Sequence, residues 1–205
     1  MLKKTVLTFA FLTILTTFYG FNAQFSAPAT DDALNALAEM HHSLLPEGSY
    51  VISAYDNLIR NISEEEGHDW RLMSAIAYHE SRFTPDITSR SGARGLMQMT
   101  EETFLWLRSK LGLGEEVSFG DLYDPDVSIR FGCYYLHLCL VRYNGDISTA
   151  AAAYHSGWGT VDALLQKEEH SEDGLTLSGF PYNQMHHYVE KITACYAKYT
   201  ELYGA

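Results

Sequence analysis

The chain has 205 residues, which suits one domain with a sizeable core. Hydrophobic residues make up 46% and charged residues 20%, a balance that argues against a disordered chain. The formal net charge of −12 gives no basis for general affinity toward nucleic acid or anionic lipid.

The N-terminus reads as an export signal. Lys3 and Lys4 precede an uncharged run from Thr5 to Thr30, whose apolar heart is Val6–Leu15. Ala27-Pro28-Ala29 has the small-x-small form of a cleavage site, and Ala23 is an alternative, so residues 1–29 are assigned to the signal. An uncleaved anchor is the weaker reading, because threonines and Gly20 interrupt the run and its strongly apolar part falls short of the ~20 residues of a spanning helix. No cysteine lies near its end, so a lipidated N-terminus is not expected.

Every strong signal after residue 30 is helical, and the expected fold class is all-α, a compact bundle of unequal helices. Residues 31–45 carry Leu34, Leu37, Ala38 and Met40 at helical spacing, weakly, inside an N-terminal extension assigned to 30–52. The main domain is assigned to 53–205. Its first helix is amphipathic and ends at Gly67; Asp69 caps the second, where Trp70, Met73, Ile76 and Ala77 share a stripe. Thr100 with Glu101 and Glu102 starts a third, which Gly112 stops. Asp124 and Pro125 open a fourth, with Ile129, Cys133, Leu136 and Leu140 on one face and Asn144-Gly145 at its end. A short alanine-rich helix at 148–155, a helix over 159–169, a polar connection at 170–181 and a long helix over 183–204 complete the chain. The four consecutive alanines predict close backbone contact at a crowded centre.

Cys133 and Cys139 lie six apart on one helix, about 9 Å along its axis, too far to bridge each other. Cys195 is left as a partner for either in an oxidising compartment, but small buried thiols are the favoured expectation. The spacing fits no zinc pattern.

Glu80 lies four residues after Ile76 and seven after Met73, on the apolar stripe of its helix. Burial there penalises the charged carboxylate and raises its pKa, which equips it as a general acid. The competing reading is a glutamate at a helix end that turns to solvent. The following loop supplies Ser89 and Ser91, expected on one side of an extended stretch, with Gly92 and Gly95 for tight turns near a ligand. Gln98 offers both donor and acceptor to an amide or sugar hydroxyl. Alone, such a loop is ordinary, since serine and glycine are common turn residues.

The stretch ESRFTPDITSRSGARGLMQ (80–98) resembles the signature of the soluble-lytic-transglycosylase (SLT) catalytic domain family, a lysozyme-like helical fold that cuts bacterial peptidoglycan. The resemblance continues through DPDVSIRFGCYYL, AAYHSGWGTV and PYNQMHHYV, covers about residues 53–200, and is similar in particular to the catalytic module of membrane-bound lytic murein transglycosylase F. It implies that Glu80 is the catalytic acid, that Ser89, Ser91 and Gln98 bind substrate, and that Tyr154 is an active-site tyrosine. Without it, Tyr154 reads as a core tyrosine with a satisfied hydroxyl. The sequence departs from the family where His155 replaces asparagine, Ser156 alanine and Trp158 a frequent proline. Gln184, Met185 and His186 also depart from the pattern, so that motif receives no site role, and Tyr188 matches but equally suits packing.

Ordinary glycosidases use two carboxylates, ~5–5.5 Å apart for retention or ~6.5–9.5 Å for inversion. Only Glu80 has a convincing position; Asp86 reads as a turn residue, Asp121 as a loop charge and Asp124 as a helix cap. The family chemistry needs no second carboxylate, because one glutamate gives a proton and then retrieves it as the muramoyl C6 hydroxyl closes a 1,6-anhydro ring. The alternatives are a hydrolytic goose-type-like lysozyme and, less favoured, a non-catalytic peptidoglycan-binding accessory protein. The expected partner is a peptidoglycan glycan strand in the periplasm or cell envelope. No cofactor is expected, and no metal: adjacent histidines such as His41-His42 and His186-His187 point about 100° apart on a helix and make no ready chelate.

Overall fold

Residues 52–204 are described in the computed structural model, and apart from two isolated β-bridges their regular structure is helical. The expected signal at 1–29, the weak helical pattern at 31–45 and nearly all of the 30–52 extension lie outside the described residues.

Local chemistry sets each helix boundary. Helix α1 (Asp56–Glu66) closes where the His68 N–H returns to the Ser63 carbonyl at 2.7 Å. Helix α2 (Trp70–Ser81) starts on Asp69, whose carboxylate accepts the Arg71 N–H at 2.9 Å. The same carboxylate binds the Arg71 guanidinium at 2.7 Å and receives the Tyr196 hydroxyl at 2.8 Å, tying the last helix to the second. Helix α3 (Glu101–Lys110) is capped by Thr100, with acids in its first turn and Arg108 and Lys110 in its last. Asp124 caps α4 (Pro125–Arg142), and Asp146 caps α5 (Ile147–Ser156). Helices α6 (Trp158–Leu165) and α7 (Asn183–Tyr203) follow.

The all-α expectation holds, and so does the crowded centre. Ala150 to Ala153 are all buried, and α5 packs against α4, α6 and α7. With nothing longer than a methyl at these four positions, α5 lets its neighbours approach its backbone there. Helix α7 packs on both α2 and α5, while α1 leans on α2 and α4. This arrangement brings the C-terminal end of α2, where Glu80 sits, to the same place as α5 and α7. Ile59, Ile62, Met73, Ile76, Leu107 and Leu136 fill the core, and complete burial of each such side chain contributes about 1.5–3 kcal/mol.

Three expectations need correction. The helix expected over 159–169 stops at Leu165, since Lys167, Glu168 and Glu169 offer nothing to bury, and the chain turns there with His170 N–H bonded to the Lys167 carbonyl. A 3-10 turn at Phe119–Tyr123, capped by Ser118 and Asp121 together, occupies a stretch read as loop. The serine stretch after α2 is turned, not extended: the Gly92 N–H bonds back to the Ser89 carbonyl at 2.9 Å, and Thr88 and Met99 both bridge to Arg94.

The three cysteines are free; Cys133 and Cys139 are buried, and burial pushes each thiol up to about 12. Among the described residues, no helix is long and apolar enough to cross a membrane.

Candidate active site

Glu80 is the penultimate residue of α2, half-buried where the apolar stripe of the helix meets open space. Burial pushes its carboxyl up to about 7, against a hydrogen bond from the Tyr188 hydroxyl that lowers it. That bond, Tyr188 Oη to Glu80 Oε1, is 2.7 Å long and joins residues 108 apart in sequence. A carboxyl so placed exists in both protonation states near neutral pH, as a group that must give and take one proton requires. The stripe reading therefore prevails over the solvent-facing one.

A groove of about 260 Å³ opens beside it, lined by Glu80, Ser89, Ser91, Ala93, Met97, Gln98, Met99, Thr100, Thr103, Tyr135, Tyr154 and His155. The five residues singled out in the sequence, Glu80, Ser89, Ser91, Gln98 and Tyr154, all line this one space. Glu80 is the lone carboxylate among them. Asp124 and Asp121 are committed to the N–H groups of their own turns, and Asp86 is exposed in a turn, as expected.

Several of these groups are already engaged. Ser89 and Ser91 share a hydrogen bond at 2.9 Å, and Ser89 Oγ also receives the Ala93 N–H at 3.0 Å. The Gln98 amide donates to the carbonyls of Gly95 and Ile87, at 3.0 and 3.2 Å. Its donor side is thus spent, which leaves its carbonyl oxygen as the group it can offer. Tyr154 donates its hydroxyl to the Met97 carbonyl at 3.0 Å, and the Met97 N–H goes to Ser128 Oγ at 3.1 Å. Both ends of the Met97 peptide are pinned, which holds the loop against α4 and α5. Tyr154 thereby satisfies both readings made of it, a groove wall and a tyrosine with a bonded hydroxyl. Gly95 is buried against the 3-10 turn, so its lack of a side chain serves packing and not ligand approach.

The transglycosylase SLT domain profile matches residues 57–176, more than half of the chain. The chain belongs to the SLT family. Among curated relatives of this SLT domain are membrane-bound lytic murein transglycosylase F of Alcanivorax borkumensis, 32% identical over 58% of the chain, and that of Yersinia enterocolitica, 34% identical over 66%. The homologous protein of Haemophilus influenzae is 30% identical over 71%. The chain spans 25%, 29% and 27% of the length of these three relatives, respectively. Among solved structures, the 70 kDa soluble lytic transglycosylase of Escherichia coli superposes with a TM-score of 0.65 at 25% identity, over 73% of this chain and 24% of that one. A structure of the 70 kDa soluble lytic transglycosylase bound to bulgecin A gives 0.66 at 25% identity, over 74% of this chain and 25% of that one. The lysozyme-like architecture expected from the sequence is the one these SLT enzymes share.

Two residues beside Glu80 carry more than the sequence assigns them: His155, which lines the groove, and Tyr188, which touches Glu80 from behind the lining. Tyr188 was left undecided, although it sits three residues after Met185 and one before Val189, both buried, at the edge of the α7 stripe. His155, a departure from the family pattern expected to reshape the sugar subsite, lines the groove and stacks on Tyr188 with ring centroids 4.5 Å apart and planes at 14°. Burial lowers the His155 pKa, which favours the neutral imidazole. Gln184 and His186 are exposed and Met185 is buried, and none of the three lines the groove. Among the described residues, no three His, Cys, Asp or Glu side chains converge as a metal site.

Proposed function

We propose that the chain is a peptidoglycan lytic transglycosylase in which Glu80 acts as acid and then as base. Protonated Glu80 gives its proton to the glycosidic oxygen between N-acetylmuramic acid and N-acetylglucosamine as the C1–O bond breaks. The acetamido carbonyl oxygen of the muramoyl residue stabilises C1. The C6 oxygen then attacks C1, and its proton passes to the Glu80 carboxylate. The ends formed are a free C4 hydroxyl and a 1,6-anhydro ring, with protons and electron pairs balanced and no water consumed.

The observation that carries this reading is a lone carboxylate in the groove, held near neutral pKa and bonded to Tyr188. One such group suffices for a reaction in which the substrate supplies its own nucleophile. Ser89, Ser91, Tyr154 and the Gln98 carbonyl oxygen are the groups that orient the acetamido and hydroxyl groups of the strand. The substrate lies in the cell envelope, in keeping with the export signal expected at 1–29.

Mass spectrometry of products from purified sacculi separates this reaction from hydrolysis. Anhydro ends, lighter than reducing ends by one water, are the expected product; reducing ends alone would assign the fold to a muramidase. Bound sacculi with no released fragments would point to an accessory protein.

Tyr188→Phe keeps the ring that packs under His155 and removes the hydroxyl from Glu80. Without that donor the ionised form loses stabilisation and the pKa moves further up. The turnover of sacculi should fall about tenfold, the loss of one hydrogen bond to a carboxylate. The basic limb of the pH–rate profile, set where Glu80 ionises, should move to higher pH. A lowered rate with an unmoved limb would leave Tyr188 as packing only.

A further inference from the structure

An aromatic row leads out of the groove. Tyr154 and Tyr135, which both line it, have ring centroids 5.1 Å apart. Tyr135 stacks on Trp158 at 6.3 Å with planes at 18°, and its ring lies 6.2 Å from Trp106. The two indoles meet edge to face at 5.0 Å. Trp158 is fixed from behind, because its indole N–H reaches the Cys139 sulfur at 3.3 Å. Trp106 is one turn along α3 from the groove-lining Thr103 and is 36% exposed, beside Leu105 at 43%.

Packing accounts for Trp158 but not for an indole left at the surface on the rim of a cleft. Trp158 also stands where the sequence departs from the family pattern, which often has proline. Two cations lie against the indoles in a chain of net charge −12. Lys110 Nζ lies 5.4 Å from the Trp106 ring and the Arg142 guanidinium 5.0 Å from Trp158. Arg142 is spent on Asp162, whereas Lys110 makes no ion pair among the described residues.

We infer that Trp106, supported by Trp158, is an outer glycan subsite that takes a pyranose ring of the strand whose cleaved bond lies at Glu80, with Lys110 meeting a carboxylate of its stem peptide. The inference rests on the reading of the groove as a glycan cleft. A pyranose presents C–H groups on its face and hydroxyls on its edge. It therefore covers an indole while its polar rim stays in water. Continuity through Tyr135 places that ring on the same strand and not on a separate molecule.

The Glu80→Gln protein, titrated with chitotriose and chitohexaose, reads the subsite without turnover. The hexamer should bind about tenfold more tightly than the trimer and change tryptophan fluorescence. Adding Trp106→Ala should remove the length advantage and leave the trimer unaffected, whereas Trp106→Phe should keep part of it. Lys110→Ala should weaken a stem-peptide muropeptide more than the neutral hexamer; equal losses remove the lysine from the subsite. Hexamer affinity unchanged by Trp106→Ala, in a protein whose Glu80 parent does release anhydro fragments, overturns the subsite alone. A parent that neither cuts sacculi nor binds either oligomer overturns the cleft reading and the subsite with it.

Discussion

Glu80→Gln should digest purified sacculi about 10²–10⁴-fold more slowly than the parent protein while keeping its fold. Glutamine has the shape of the protonated acid and still accepts the Tyr188 hydroxyl, so the groove is preserved. What it lacks is a proton to release and a charge with which to retrieve one. The same substitution carries a stability signature. The folded protein holds the Glu80 carboxyl at about 7, above its ordinary value of 4.5, because burial disfavours the anion. The folded state therefore binds the proton more tightly than the unfolded chain. The resulting stabilisation is complete below 4.5 and is lost as pH rises through about 7. Glutamine has no anion to bury, so the variant should be more stable than the parent at pH 8, by about 1–3 kcal/mol. The gap should narrow toward pH 5. Thermal unfolding at the two pH values, alongside sacculus digestion, checks both halves. Normal digestion removes Glu80 from the chemistry, and a pH-independent difference in melting removes its burial as the cause of the raised pKa.

What the sequence made legible is what short-range chemistry decides. Asp69, Thr100 and Asp124 each precede a helical apolar pattern, and each caps a helix. Four alanines in a row left α5 only one way to be useful, as a central helix approached on several sides. Glu80 stood out because its place on the Met73–Ile76 stripe allowed burial as well as a turn to solvent, and the resemblance of 80–98 to the SLT signature favoured burial. The features that escaped notice depend on contacts between distant segments. The 3-10 turn at Phe119–Tyr123 is five residues long, too short for any periodicity to announce it. The donors of Gln98 are consumed by the Ile87 and Gly95 carbonyls only because the loop doubles back on itself. Tyr188 reaches Glu80 because α7 packs on α2, and no local pattern distinguishes that hydroxyl from one that faces water.

The same long-range logic makes Gly95→Ala the substitution with the largest expected effect on the scaffold. Gly95 has φ +77°, and a methyl there would stand 2.0 Å from the Leu122 carbonyl oxygen and 2.6 Å from Ser128 Oγ. Neither neighbour can yield cheaply. Leu122 is fully buried and anchors the 3-10 turn, while Ser128 Oγ holds the Met97 N–H. Relief of the clash lifts the loop away from α4, which breaks the pinning of Met97 and carries Ser89, Ser91 and Gln98 with it. The left-handed backbone and the overpacking together should cost about 3 kcal/mol or more. Gly92→Ala is the control: φ is +84°, yet no atom lies within 4 Å of the added methyl. It should lose only the backbone contribution, about 1–2 kcal/mol. Thermal unfolding of the two variants should therefore separate them clearly, with Gly95→Ala the lower. Sacculus digestion well below its melting temperature should also be slower for Gly95→Ala, since the groove is deformed even while the bundle persists. If the two variants melt together, the loop is not held by its contact with the 3-10 turn, and the groove must owe its shape to the bonds that pin Met97 to Tyr154 and Ser128.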